Sequence, residues 1–135
     1  MKLADTSVWH RARHPEVAGV WRPALLRGEI ATNEIVRLEV LYSARSAMEY
    51  DSIATTLDAL VQLPSGRAAL RRALDVQRRL AQRGGLHHRI PTPDLVIAAV
   101  AELHGATLWH YDADYDRIAA VTGQPVEWIA PRGSL

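Results

Sequence analysis

Thr92-Pro93-Asp94-Leu95-Val96-Ile97-Ala98-Ala99-Val100-Ala101-Glu102-Leu103, followed by His104-Gly105-Ala106-Thr107-Leu108-Trp109, is the stretch on which the fold turns. Pro93 at the start and Asp94 in the first turn open a helix. Leu95 to Leu103 is apolar nearly all round, so this helix is expected to be buried. Gly105 ends it, and Thr107-Leu108-Trp109 reads as a strand. The run Leu95 to Ala101 is the longest unbroken apolar one in the chain. It falls far short of the roughly 18–20 residues that a membrane span needs.

Working outward, the same alternation of strand and helix recurs. Lys2-Leu3-Ala4 is a short strand leading into Asp5, with Thr6-Ser7 as a loop or helix start. Val17 to Leu26 reads as a helix ending before Gly28, and Ile30-Ala31-Thr32 as a second strand. Asn33 then caps a helix running to about Ser46. Tyr50 to Val61 is a further helix, closed near Pro64 and Gly66. Arg67 to Arg83 is strongly amphipathic and is stopped by Gly84-Gly85. Beyond Trp109, Tyr115 to Val121 reads as a helix and Val126 to Ile129 as a last strand. No repeat or linker interrupts the 135 residues, so one domain over 1–135 is expected. Short strands alternating with helices predict an α/β domain with a mainly parallel sheet, whose sites form at the strand C-termini.

Composition narrows the chemistry. There is no cysteine, which excludes disulfides, thiolate metal sites and a cysteine nucleophile. Sixteen basic residues face fifteen acidic ones, so bulk charge selects no partner. Lys2 is the only lysine, so any mechanism that needs one must use it. The start of the chain reaches Asp5 without an apolar leader, and a cytoplasmic location is expected.

The acids carry the functional reading. Asp5 follows the first strand, Asp112 follows Thr107–Trp109 with Asp114 and Asp116 close behind, and Asp94 opens the buried helix. Singly, each has an ordinary role as a cap or a solvated turn. Glu39 is harder to explain, because helical spacing places it with Ile35, Leu38 and Tyr42 on what should be an inward face. Two readings stay open for it: a buried salt bridge, for instance to Arg45, or a cation shared with the other carboxylates. If Asp5, Glu39, Asp94 and Asp112 converge to ~5 Å, each pair repels by ~3 kcal/mol at an effective dielectric near 20. Six such pairs cost on the order of 20 kcal/mol, more than the stability of a domain. A cluster of that kind must be protonated or neutralised, and oxygen-only ligands select hard Mg²⁺ or Mn²⁺ over zinc.

These residues resemble a known family. MKLADTSVW at the start, TNEIVRLEVLYSAR in the middle, TPDLVIAAVAELHGATL late and YDADYDRIA near the end are similar, in order and approximate spacing, to the PIN-domain ribonucleases. More narrowly they resemble the VapC-type toxins of VapBC toxin–antitoxin modules. The resemblance implies a three-layer α/β/α fold and metal-dependent cleavage of RNA with Mg²⁺ or Mn²⁺. It also implies inhibition by a cognate VapB-type antitoxin and assembly as a homodimer. Carried over by position, Asp5, Glu39, Asp94 and Asp112 are the catalytic and metal-binding acids, with Asp114 as a further ligand. Two positions depart from the family pattern: His110 stands where many members have threonine or serine, and Tyr115 replaces the usual phenylalanine. The first departure opens an RNA contact for His110.

Several other features carry weaker expectations. Arg67, Arg71, Arg72, Arg78, Arg79 and Arg83 occupy one half of their helix, opposite Leu70, Leu74, Gln77, Leu80 and Ala81. Arg71 and Arg78 are the candidates for tracking RNA phosphates. Trp9, Trp21, Trp109 and Trp128 are expected mostly in the core, Trp9, beside Asp5, being the best candidate of the four to line the cleft. Two readings stay open for Leu25, Leu26, Ile53 and Leu57, an apolar docking patch or core. A phosphatase or receiver domain acting through Asp5 is disfavoured, because Ser7 stands where such a phosphatase carries a second Asp and no late lysine exists. The remaining alternative is a non-catalytic PIN-like module that binds RNA or protein.

Overall fold

The computed structural model describes residues 1–135. The elements are β1 (Lys2–Ala4), α1 (Thr6–Trp9), α2 (Pro15–Leu26), β2 (Ile30–Thr32), α3 (Glu34–Tyr42) and α4 (Ala47–Asp58). They continue with β3 (Val61–Gln62), α5 (Gly66–Gln82), α6 (Thr92–Leu103), β4 (Thr107–His110), α7 (Asp114–Thr122) and β5 (Val126–Trp128). The sheet has five strands in the order β3-β2-β1-β4-β5, and every pairing is parallel. From β1 the chain builds outward to β2 and β3, then crosses to the other side of β1 for β4 and β5. The order therefore reverses between β1 and β4, where α/β sheets open a crevice at the strand C-termini.

Side-chain alternation along the strands divides the core into two layers. Leu3 pairs in register with Ala31 and Leu108, and all three join the larger apolar cluster. That cluster takes Val36 and Val40 from α3, Leu57 from α4, Val76 and Leu80 from α5, Ile97 from α6 and Ile118 from α7. The neighbours Ala4, Ile30 and Trp109 point the other way, onto Val17, Trp21 and Ala24 of α2 and Ile129 near the C-terminus. Helices thus cover both faces of the sheet, the three-layer arrangement that the family resemblance implies. α6 is buried from Leu95 to Ala101 except for a half-buried Val96.

Several boundaries differ from the expected ones, each for a local reason. The helix expected from Asn33 to Ser46 ends at Tyr42, and Ser46 instead caps the next helix by accepting the Glu49 N–H at 3.1 Å. α4 accordingly starts earlier and stops at Asp58, while Val61 and Gln62 form the exposed edge strand β3. Two residues carry no alternation to read, and their apolar lead-in from Leu57 continues the helical pattern. On α5 the buried residues are Ala69, Ala73, Val76 and Leu80, so the inward face is rotated from the expected one. Leu70 and Leu74 are exposed, and small alanines let α5 approach its neighbours closely.

Candidate metal and active site

Five acids reach the crevice end of the sheet from five elements. Asp5 leaves β1 and caps α1, its Oδ2 accepting the Ser7 N–H at 2.9 Å and the Ser7 hydroxyl at 2.6 Å. Its Oδ1 accepts the Tyr115 hydroxyl at 2.6 Å, and the whole side chain is buried. Glu39 extends from α3 and accepts the Thr6 hydroxyl at 2.9 Å. Asp94 stands in the first turn of α6, Asp112 follows β4, and Asp114 begins α7. Carboxylate oxygens of Asp94, Asp112 and Asp114 all lie within 4.8 Å of one another.

The electrostatics of the site follow from this convergence. Burial raises the Asp94 pKa to about 7, and the charges of Asp5, Asp112 and Glu39 add to the shift. Asp114 is also raised by burial and by Asp112, with Arg117 opposing. Burial and the Asp5 and Asp94 carboxylates push the Tyr115 phenol well above its ordinary value, so it remains an O–H donor. No lysine, arginine or histidine forms an ion pair with Asp5, Glu39, Asp94 or Asp112. Only Asp114 has a cationic neighbour, Arg117 at 3.9 Å. Converging carboxylates without a protein cation are costly, and an oxygen-only donor set fits a hard divalent ion.

The two readings left open for Glu39 are now separable. Arg45 pairs with Glu49 at 3.4 Å, so the expected Glu39–Arg45 bridge does not form. The face carrying Ile35, Leu38, Glu39 and Tyr42 is not the core face either. Val36, Val40 and Leu41 point into the core, whereas Leu38 and Tyr42 are exposed and join Thr6, His10 and Glu39 around a cavity of about 410 Å³. Glu39 faces this cavity, which none of the other four acids line, and its charge reaches Asp94. The sequence pattern misassigned this face because an apolar stripe beside a site is indistinguishable from one beneath a core.

His110 is placed differently from its expected role. Its ring is fully buried between Tyr115 and Trp128, with centroids 5.2 and 4.9 Å away. Nδ1 accepts the Asp112 N–H at 3.1 Å, which places the ring proton on Nε2, facing Asp116 at 3.9 Å. Burial lowers its pKa, so the ring is neutral near pH 7. It holds the Asp112 turn from inside and offers no surface to RNA. Arg71 and Arg78 are exposed on α5 and free of ion pairs, whereas Arg72 is committed to Glu102 at 2.6 Å and Asp75 at 2.6 Å.

Trp9 packs edge-on against Trp21 with centroids 4.8 Å apart. It lines a separate cavity of about 430 Å³ that contains none of the five acids. Leu25 and Leu26 lie on α2 while Ile53 and Leu57 lie on α4, on opposite faces of the sheet, so no common patch forms. The residues that sequence reasoning passed over are hydroxyl donors: Thr6, Ser7 and Tyr115. Only Ser7 carries a local signal, since a hydroxyl two residues after Asp5 can fold back on it, whereas Thr6 and Tyr115 reach acids 33 and 110 positions away.

A five-stranded parallel sheet with clustered acids at its switch point defines a class of protein, and the chain belongs to it: the PIN-domain family, whose model matches residues 2–121. Within the family the chain is similar to "Ribonuclease VapC18" of Mycobacterium tuberculosis, 56% identical over 97% of this chain and 96% of that protein. It is similar also to "Ribonuclease VapC51" of the same organism, 45% identical over 98% and 96%. Among solved structures it resembles VapBC-5 of M. tuberculosis, a member of the VapBC family of toxin–antitoxin systems. That match has a TM-score of 0.60 and 27% identity, and it covers 94% of this chain and 95% of that one. VapBC2 of Rickettsia felis, solved on a fragment of its promoter DNA, matches in fold with a TM-score of 0.74 at 19% identity, over 94% and 97%. No helix is long and apolar enough to cross a membrane.

Proposed function

We propose that the chain is a metal-dependent endoribonuclease and the toxin of a toxin–antitoxin pair. One observation carries the metal site: Asp94, Asp112 and Asp114 converge, and Asp5, Glu39, Asp94 and Asp112 have no ion-paired protein cation, so that burial and these neighbours raise the Asp94 pKa to about 7. The ribonuclease activity is supported by the VapC relatives, which align over nearly the whole chain. Asp94, Asp112 and Asp114 would hold the ion, Mg²⁺ or Mn²⁺ by the hardness of the donors, with Asp5 and Glu39 completing the set. When bound, such an ion activates water for in-line attack on a phosphodiester and stabilises charge on the leaving oxygen.

The chain's own residues supply the positioning. Ser7 and Tyr115 fix Asp5 at both oxygens, and Thr6 holds Glu39 against the cluster. His110 and the Asp114 N–H, which donates to Asp112 Oδ1 at 2.9 Å, shape the turn that presents Asp112. Asp94 exchanges its proton near neutral pH and is thereby available to a cation there. Arg71 and Arg78, exposed and unpaired, are the side chains we assign to RNA phosphates. A VapB-type antitoxin is the proposed partner, supported by the likeness to VapBC-5. A homodimer follows the family resemblance.

Cleavage of total RNA by the purified chain tests this reading, with Mg²⁺, with EDTA, and with Asp94→Asn. Discrete fragments should appear only with metal and wild-type protein. The variant should keep its fold and lose at least about 100-fold in rate, as expected when a metal ligand is removed. An Asp94→Asn protein that cleaves at the wild-type rate with metal would sink the assignment. No cleavage by the wild type, freed of antitoxin, would leave a non-catalytic binding module.

A further inference from the structure

Tyr115 is the one aromatic hydroxyl that touches the acids. It is fully buried at the start of α7, immediately after Asp114. Its Oη donates to Asp5 Oδ1 at 2.6 Å and lies 3.3 Å from Asp94 Oδ1. Its backbone N–H donates to the Asp112 carbonyl at 3.2 Å. One residue therefore contacts Asp5 at the end of β1, Asp94 on α6 and the turn after β4, besides adjoining Asp114. Asp5 has its other oxygen occupied by Ser7, so removing the phenol would free one end of that carboxylate and leave the other fixed. The ring alone does not need the hydroxyl to pack: it sits in the larger core with Ile118, at the position where the resembled family usually carries phenylalanine.

We propose that the Tyr115 hydroxyl is a positioning residue of this site, holding Asp5 at a fixed orientation and separation from Asp94 so that the cluster is formed before a cation enters. The proposal rests on the reading of the acids as a divalent-cation site. Preorganised ligands bind more tightly because less freedom is lost on binding. A phenylalanine at this position keeps the packing and loses the positioning.

The test is Mn²⁺ titration by calorimetry of the EDTA-stripped, buffer-exchanged full chain. Three proteins are compared: wild type, Tyr115→Phe, and Ile118→Val as a packing control on the same helix. Tyr115→Phe should keep the far-UV circular dichroism and cooperative urea unfolding of the wild type and bind Mn²⁺ about 10- to 100-fold more weakly, the range set by one hydrogen bond to a charged group. Ile118→Val should bind like the wild type. Unchanged or tighter binding by Tyr115→Phe would overturn the proposal, as would loss of its fold or an equal weakening by Ile118→Val. A wild type that binds no Mn²⁺ would instead overturn the metal-site reading beneath it.

Discussion

Asp94 concentrates the physical tension of the molecule in one carboxyl group. Its pKa of about 7, caused first by burial and then by Asp5, Asp112 and Glu39, lies well above the 3.8 of a free side chain. An acid whose pKa rises on folding holds its proton more tightly in the folded state, so folding is favoured by protonation. The associated loss of stability begins as pH rises above about 4 and is complete above about 7. Three pH units at ~1.4 kcal/mol each give about 4 kcal/mol, and partial exposure of the group reduces this to on the order of 2 kcal/mol. Asparagine carries no such penalty. Urea denaturation in EDTA should therefore show Asp94→Asn gaining stability over wild type between pH 4 and pH 8. A difference that stays flat across that range would mean that neither burial nor the neighbouring acids raise the Asp94 pKa in solution.

At the level of elements, the positions of the acids depend on how each segment is anchored. Asn33 is the clearest anchor: buried, it caps α3 by accepting the Ile35 N–H at 2.8 Å. Its amide donates to the Leu63 carbonyl at 2.7 Å and to Ser65 Oγ at 3.0 Å, so the start of α3 is tied to the segment leaving β3. Asn33→Ala removes the cap, worth ~1 kcal/mol, and leaves a buried carbonyl without its donor, a further ~1–2 kcal/mol. A loss of about 2–3 kcal/mol in urea denaturation is expected, together with reduced cleavage because Glu39 rides on α3. A loss under about 0.5 kcal/mol would show that water replaces the amide. The capping role of Asn33 was legible from sequence because capping is a local rule. So were α6 and the three central strands, where apolar runs and Gly or Pro boundaries agree. The edge strand β3 was not, since two residues set no period and only pairing with β2 makes them a strand. The site divided along the same line. Asp5, Asp94, Asp112 and Asp114 stand where the sequence put them, at strand ends and helix starts, and Glu39 was singled out on a face the pattern misassigned, whereas the Tyr115 hydroxyl was not legible because it reaches Asp5 across 110 positions of chain.

For the whole molecule, that long reach has a thermodynamic consequence. The acids stand at positions 5, 39, 94, 112 and 114, and only the folded sheet with its switch point between β1 and β4 brings them together. An unfolded chain offers isolated carboxylates with negligible affinity, so a divalent cation held by the proposed cluster would bind the native state alone and stabilise it by mass action. At a hundredfold excess over Kd the gain is about 2.7 kcal/mol, which for a domain of this size raises Tm by on the order of 10 °C. Protons compete for the same oxygens, and Asp94 holds its proton below about pH 7. The Mg²⁺-induced rise in Tm should therefore be large at pH 8, smaller at pH 6, and reversed by EDTA. In Asp94→Asn it should shrink at pH 8 and lose most of its dependence on pH, since the proton that competes is gone. Equal shifts for wild type and variant at both pH values would place any bound Mg²⁺ elsewhere on the protein, and the convergence of acids would then need another explanation.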